Sequence, residues 1–120
     1  YPAATTQVSA ALTYPGAIKA FHVHKLQTDV WAVVQGMFQV ALVDLRPASP
    51  TYGLKNTFYI GQLRTWQLAI PPGVGHGYKV IGTTPAMLVY LTDRLYNPKD
   101  EGRIPHNSPG INYDWELQHK

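Results

Sequence analysis

The chain is divided into short apolar segments of strand length, separated by turns that contain glycine and proline. Two of these segments, residues 30–34 and residues 37–45, flank the dipeptide Gln35-Gly36. In the second segment both alternating sets of side chains are largely apolar, as in a strand buried between two layers. The pattern predicts that the two segments form a β-hairpin. No stretch shows the period of a long amphipathic helix.

The remaining sequence predicts further strands and an irregular end. Residues 1–15 read as a loose lead-in with at most one edge strand, whereas residues 97–115 contain three prolines, two glycines and no periodicity. We therefore expect 97–120 to be an irregular covering segment. Many short strands with frequent turns favour a single all-β domain over residues 1–120, built as a sandwich, jelly roll or barrel. The other predicted strands are 57–60, 66–70, 77–81 and 86–92.

Composition excludes several classes of function. A formal charge of +3, carried by scattered Lys and Arg, argues against nucleic acid and suits a small anionic molecule. The chain has no cysteine, which rules out disulfides and thiol chemistry and permits a cytoplasmic location. No apolar run approaches the ~20 residues that a membrane-spanning helix needs.

Three histidines are candidates for the chemistry. His22 and His24 are two positions apart in a predicted strand and so share a face, which Lys19 and Phe21 cannot both join. The loop 71–75, PPGVG, precedes His76. Imidazoles on one face can bind a metal, move protons or recognise a ligand. A histidine in a strand is also often structural. Whether these histidines are functional is therefore judged from the motifs in which they occur.

Two spacings resemble the motifs of the cupins, which are jelly-roll barrels, also described as a double-stranded β-helix. The second motif, P-x-G-x-x-H, matches Pro71, Gly73 and His76. Many cupins bind a divalent metal through three histidines and a carboxylate. The resemblance therefore implies a cupin fold and, as one alternative, a metal-binding cupin that uses His22, His24, Asp29 and His76. The first motif matches Gly16, His22, His24, Asp29 and Gly36.

From about residue 16 to 115 the chain also resembles the dTDP-4-dehydrorhamnose 3,5-epimerase family, cupins that work without metal. The strongest matches are DLR followed by SPTYG (44–53), PPG-x-x-HG (71–77), and Tyr90 with Tyr96-Asn97-Pro98. The resemblance implies a cytoplasmic homodimer without a cofactor. Its implied activity is the epimerisation of a nucleotide-linked 4-keto-6-deoxy sugar in dTDP-rhamnose biosynthesis.

The family removes a proton next to a sugar ketone and returns one on the other face. This needs a base, an acid opposite it, and groups that hold the enolate oxygen. The resemblance places the base at His22 and the acid at Tyr90, although Tyr90 is flanked by apolar residues and packing remains an alternative. His76 is expected to line the pocket. Lys19 replaces the family's arginine and is expected to face the phosphates or the enolate.

Other positions support or weaken the prediction of an epimerase active site. Asp29 stands where the family has its enolate-holding lysine, so Lys25 is the candidate to supply that charge. His24 and Lys25 are expected to line the pocket, with Tyr96 at its rim. The family's aspartate that orients the catalytic histidine has no counterpart before the end of the sequence. That gap motivates a non-catalytic sugar-binding cupin as an alternative.

A different enzyme class also remains open. The sequence HVHK (22–25) resembles the sugar-nucleotide 3,4-ketoisomerases, in which paired histidines shuttle a proton between adjacent carbons. Everything after Leu45 resembles the epimerases better, and the epimerase is therefore the leading hypothesis.

Overall fold

The computed structural model describes residues 7–116, which form two antiparallel sheets that face each other. The four-stranded sheet has the order β1-β8-β3-β6 and the five-stranded sheet the order β5-β4-β7-β2-β9. One 3₁₀ helix, Pro98–Asp100, precedes the last strand. The strands are β1 Gln7–Thr13, β2 Ile18–His24, β3 Asp29–Gln35, β4 Met37–Asp44, β5 Lys55–Gly61, β6 Gln67–Ile70, β7 Val74–Ile81, β8 Ala86–Thr92 and β9 Glu101–Arg103.

The predicted hairpin of residues 30–34 and 37–45 is wrong. Strand β3 pairs with β6 and β8, whereas β4 pairs with β5 and β7 in the other sheet. The turn between them carries the chain from one sheet to the other. Gly36 has φ +75°, and a Cβ there would lie 2.7 Å from the Cβ of Ala86. The local pattern showed two strands and a turn, but not that each strand would find its partners elsewhere.

Strand β1 is the edge strand expected in the lead-in, while residues 1–6 lie outside the described part of the chain. The expectation of a wholly irregular end is wrong for residues 98–103, which form the 3₁₀ helix and β9. Backbone pairing with β2 orders this short segment although its sequence has no strand pattern. Residues 104–116 contain no regular element, and the rest of the predicted covering segment, 117–120, is outside the description.

The main core lies between the sheets. It combines Trp31 and Leu88 of the four-stranded sheet with Phe38, Val40 and Tyr78 of the five-stranded sheet, all of them buried. Trp31, Tyr78 and Leu88 also line the cavity described below. Apolar packing thus continues directly into the floor of that cavity and fixes the strands that carry its polar residues.

A second cluster lies on the outer face of the five-stranded sheet. Phe21, which is fully buried, packs with Trp115 at a ring-centroid distance of 5.5 Å and with Tyr113 at 6.2 Å. The backbones of Phe21 and Ile104 exchange two hydrogen bonds. Lys79 Nζ also donates to the carbonyl of Trp115 at 3.1 Å. The irregular segment therefore covers the sheet through apolar packing and hydrogen bonds.

The DLR…SPTYG motif is explained by the loop after β4. The Asp44 carboxylate accepts hydrogen bonds from the Arg46 guanidinium at 2.9 and 3.1 Å and from the Ser49 hydroxyl at 2.6 Å. The Arg46 hydrogen bonds are the main reason that the pKa of Asp44 lies well below its usual range, with the Ser49 and Thr51 hydroxyls acting in the same direction. The motif thus shapes a loop, and none of its residues lines the cavity.

Candidate active site

A cavity of about 290 Å³ opens between the two sheets. The five-stranded sheet supplies its basic residues from β2 and β7. The four-stranded sheet supplies mainly aromatic and apolar residues, together with one carboxylate. The lining residues are Ala11, Lys19, His22, His24, Gln27, Asp29, Trp31, His76, Tyr78, Leu88, Tyr90, Tyr96 and Glu101.

An irregularity in β2 brings three predicted site residues to the same wall. Lys19 pairs with Tyr78 and His22 pairs with His76, so that two residues of β2, 20 and 21, lie opposite the single residue 77 of β7. Lys19 consequently joins His22 and His24 at the cavity, while Phe21 faces the outer side. Gly77 lies opposite this bulge, and a Cβ there would come 2.2 Å from the Cβ of Ala20. The glycine of PPG-x-x-HG therefore permits the close approach of the two strands.

His22 is paired with a carboxylate that sequence analysis did not identify. Its Nδ1 lies 2.7 Å from Oε1 of Glu101 on β9, and the Glu101 side chain is buried. Burial lowers the pKa of His22, although Glu101 acts in the opposite direction. The imidazole is therefore neutral near neutral pH, which is the form that a general base requires.

His76 forms a second histidine–carboxylate pair. Its Nδ1 lies 3.1 Å from the carbonyl oxygen of Val74, and its Nε2 lies 3.8 Å from Oδ2 of Asp29. Asp29 accepts hydrogen bonds from Gln27 Nε2 at 2.7 Å and from Trp31 Nε1 at 3.3 Å. Burial lowers the pKa of His76 far below its usual range, against the attraction of Asp29.

Three of the four residues in the metal-binding alternative converge. Ligand atoms of His24, Asp29 and His76 all lie within 4.8 Å of one another. Nδ1 of His24 is buried and has no hydrogen-bond partner among residues 7–116. Two imidazoles and a carboxylate form a donor set that suits several divalent metals. His22 is not part of this group and is held instead by Glu101.

The predicted acid and base occupy opposite walls. Tyr90 projects from β8 in the four-stranded sheet, whereas His22 belongs to the five-stranded sheet, and both line the cavity. Tyr90 also packs partly against the main core, as its apolar neighbours suggested. Tyr96 lines the cavity with 61% of its surface exposed, which agrees with a position at the rim.

The prediction that Lys25 lines the pocket is wrong. Strand β2 ends at His24, and the Asp100 carboxylate accepts hydrogen bonds from the backbone N–H groups of Lys25, Leu26 and Gln27. Lys25 is exposed and does not contribute to the cavity wall. The other predicted residues, Lys19, His22, His24, His76, Tyr90 and Tyr96, all line the cavity.

Comparison with known proteins decides the family. The family model for dTDP-4-dehydrorhamnose 3,5-epimerase matches residues 1–120. The spore coat polysaccharide biosynthesis protein SpsL of Bacillus subtilis is 44% identical over 114 residues, covering 93% of this chain and 76% of that protein. The chain belongs to the dTDP-4-dehydrorhamnose 3,5-epimerase family. The predicted resemblance and the assignment to an isomerase class are thereby confirmed.

Further relatives support the assignment to this family. A probable low-salt glycan biosynthesis epimerase of Haloferax volcanii is 37% identical, covering 90% of this chain and 71% of that protein. A crystal structure of a dTDP sugar isomerase from Desulfovibrio desulfuricans G20 superposes with a TM-score of 0.89 at 31% identity, covering 92% of this chain and 71% of the other. The cupin jelly-roll fold is thus confirmed.

One solved relative contains a sugar nucleotide. The dTDP-6-deoxy-D-glucose-3,5-epimerase of Legionella pneumophila, in complex with dTDP-4-keto-L-rhamnose, has a TM-score of 0.86 and 25% identity. The match covers 98% of this chain and 63% of that one.

Within residues 7–116 of our chain, no helix has the length and apolar character needed to cross a membrane.

Proposed function

We propose that this protein epimerises a nucleotide-linked 4-keto-6-deoxy sugar, with His22 as the base and Tyr90 as the acid. The observation that carries the proposal is the placement of a carboxylate-paired histidine and a tyrosine on opposite walls of one cavity, in a chain of this family. The proposal includes a place in dTDP-rhamnose biosynthesis and a cytoplasmic location. It also treats residues 1–120 as one domain.

The chemistry is a proton removal followed by a proton return. His22 takes the proton from the carbon next to the ketone, and the electrons of that C–H bond form an enolate whose charge lies on the ketone oxygen. Tyr90 then donates its hydroxyl proton to the opposite face of the same carbon, which inverts the centre. Hydrogen-bond donors in the cavity stabilise the enolate. The step leaves His22 protonated and Tyr90 as a phenolate, and both are reset by proton exchange with solvent. No carbon–oxygen bond of the sugar is broken, and nothing is oxidised overall.

The mouth of the cavity suits the nucleotide diphosphate. Lys19 is exposed and lines the cavity, so its ammonium group is available to the phosphates. Tyr96 presents an exposed ring at the rim, against which a base can stack. His24 has an unpartnered buried Nδ1 that a sugar hydroxyl can satisfy. The inner wall would thus hold the sugar and the rim the nucleotide.

The test is isotope exchange in heavy water. Protein incubated with dTDP-4-keto-6-deoxyglucose should place deuterium at C3, C5 or both, detected by mass spectrometry and NMR. No exchange at either carbon would overturn the proposal. Exchange at C3 with a 3-keto product would indicate the ketoisomerase, and tight binding without exchange would indicate a sugar-binding cupin. Exchange that chelator abolishes and added metal restores would favour the metal site of His24, Asp29 and His76.

We also propose that the protein is a homodimer that pairs through the outer face of the four-stranded sheet. Val8 and Leu12 of β1 are 63% and 59% exposed on this face. They pair with Leu91 and Met87, and Ala10 between them pairs with Val89. The face is therefore apolar across two strands, and exposed apolar patches of this kind are typical of interaction sites. Such an apolar face can pair with a second copy of itself about a two-fold axis.

A charge on this face should dissociate the dimer. We expect Leu12→Glu to give a monomer by light scattering coupled to size exclusion, because the carboxylate would be buried unpaired in the interface. Leu63→Glu is the matched control, since Leu63 is 88% exposed in the loop between β5 and β6. A wild-type monomer, or a Leu12→Glu variant that remains dimeric, would contradict the assignment.

A further inference from the structure

We propose that Glu101 is the positioning residue of the catalytic base, fixing the ring orientation and the tautomer of His22. This inference rests on the proposed function, because it gives Glu101 its task in the same reaction. The cupin and epimerase motifs of the sequence indicate no carboxylate for this purpose. The structure supplies one from β9, a strand of three residues.

The contact itself determines the tautomer. Glu101 Oε1 lies 2.7 Å from His22 Nδ1, a length typical of a charge-assisted hydrogen bond. An ionised carboxylate can only accept, so Nδ1 must carry the proton. In the neutral ring the lone pair then resides on Nε2, the atom that would abstract the substrate proton. Without the carboxylate either nitrogen could be protonated, and a share of the molecules would lack a basic Nε2.

The position of Glu101 is set by its backbone. Strand β9 pairs with β2 so that Glu101 lies opposite His24 and Arg103 lies opposite His22. The preceding residue, Asp100, is buried and binds the three backbone N–H groups that follow β2. Arg103 approaches Glu101 Oε2 at 3.4 Å, but the Arg103 side chain is 69% exposed. The strand pairing and the Asp100 contacts therefore hold the carboxylate, and the arginine adds little.

The other carboxylate of the cavity does not serve this purpose. Asp29 is engaged by Gln27 and Trp31 and lies beside His76 rather than His22. Among the residues that line the cavity, Asp29 and Glu101 are the two acidic side chains. The orientation of His22 consequently depends on Glu101.

Two variants test this role through catalysis. Glu101→Gln should lower kcat for deuterium exchange about 10²- to 10³-fold, because glutamine can bond either tautomer of His22. KM should change less than about threefold, since the group acts through the base rather than on the substrate. Glu101→Asp should recover part of the rate, because it restores the carboxylate. The control is Glu116→Gln, which should leave kcat unchanged. Glu116 is the other glutamate of the sequence, and it is exposed.

A spectroscopic measurement separates this inference from the proposed function. ¹⁵N NMR of the ligand-free protein should show His22 as the Nδ1–H tautomer in the wild type and as a mixture in Glu101→Gln, with circular dichroism confirming that both are folded. If the wild type catalyses no exchange, the proposed function fails, while this tautomer change would still support the pairing. An unchanged tautomer in Glu101→Gln, or a kcat within threefold of the wild type, would overturn the inference.

Discussion

The substitution His22→Asn should lower the rate of deuterium exchange at least 10³-fold while the protein stays folded. A positioned general base contributes about 10²- to 10⁴-fold to proton transfer, and asparagine has no basic nitrogen. Because the His22 side chain is 38% exposed, little apolar packing is lost. The buried Glu101 carboxylate loses its partner, which costs about 1–3 kcal/mol of folding free energy. Exchange is measured by mass spectrometry, and folding by urea denaturation.

Two further variants make this result specific. His106→Asn is the control, because His106 is exposed in the covering segment and should leave the rate unchanged. Tyr90→Phe should retain exchange but lose inversion, since His22 can still remove a proton and return it to the same face. If His22→Asn kept more than a tenth of the wild-type rate, the base would have to be another imidazole of the cavity. His76 or His24 would then be the candidate.

The convergence of the three histidines could be predicted from the sequence because it follows from simple geometry. Alternation along a strand places His22 and His24 on one face, and the rigid Pro-Gly loop leads directly into the strand that carries His76. The register then pairs His22 with His76 across adjacent strands. Motif spacing was informative here since His22 and His24 lie in one strand, and His76 lies in the strand that directly follows its Pro-Gly loop.

The features that the sequence did not reveal depend on contacts between distant segments. Glu101 reaches His22 only through the pairing of β2 with β9, and three residues are too few to show a strand pattern. The hairpin prediction failed for a related reason. A turn at Gly36 can join two paired strands, but it can also carry the chain from one sheet to the other, as it does here. Lys25 was assigned from the need for a positive charge, but it lies in the turn whose backbone binds Asp100, and its side chain is not part of the cavity wall.

Phe21→Ala should destabilise the protein by about 3–5 kcal/mol, the usual cost of removing a buried phenylalanine. The ring is fully buried between the five-stranded sheet and the covering segment, where it contacts Tyr113 and Trp115. Residues 104–116 of the covering segment contain no regular element, so their attachment depends strongly on this packing. The free energy of unfolding is measured in urea. Leu63→Ala, at an exposed site, should change it by less than about 0.5 kcal/mol.

Phe21→Ala should leave the rate of deuterium exchange nearly unchanged. This result would distinguish the roles of the two faces of β2. Phe21 belongs to the outer cluster, whereas His22 faces the cavity and is bonded to Glu101. We therefore expect the exchange rate per folded molecule of Phe21→Ala to stay within about threefold of the wild type, opposite to the result for His22→Asn. A loss below about 1 kcal/mol would mean that the covering segment does not unfold together with the sheet. A large loss of rate in the folded protein would mean that the outer packing, as well as Glu101, sets the position of the base.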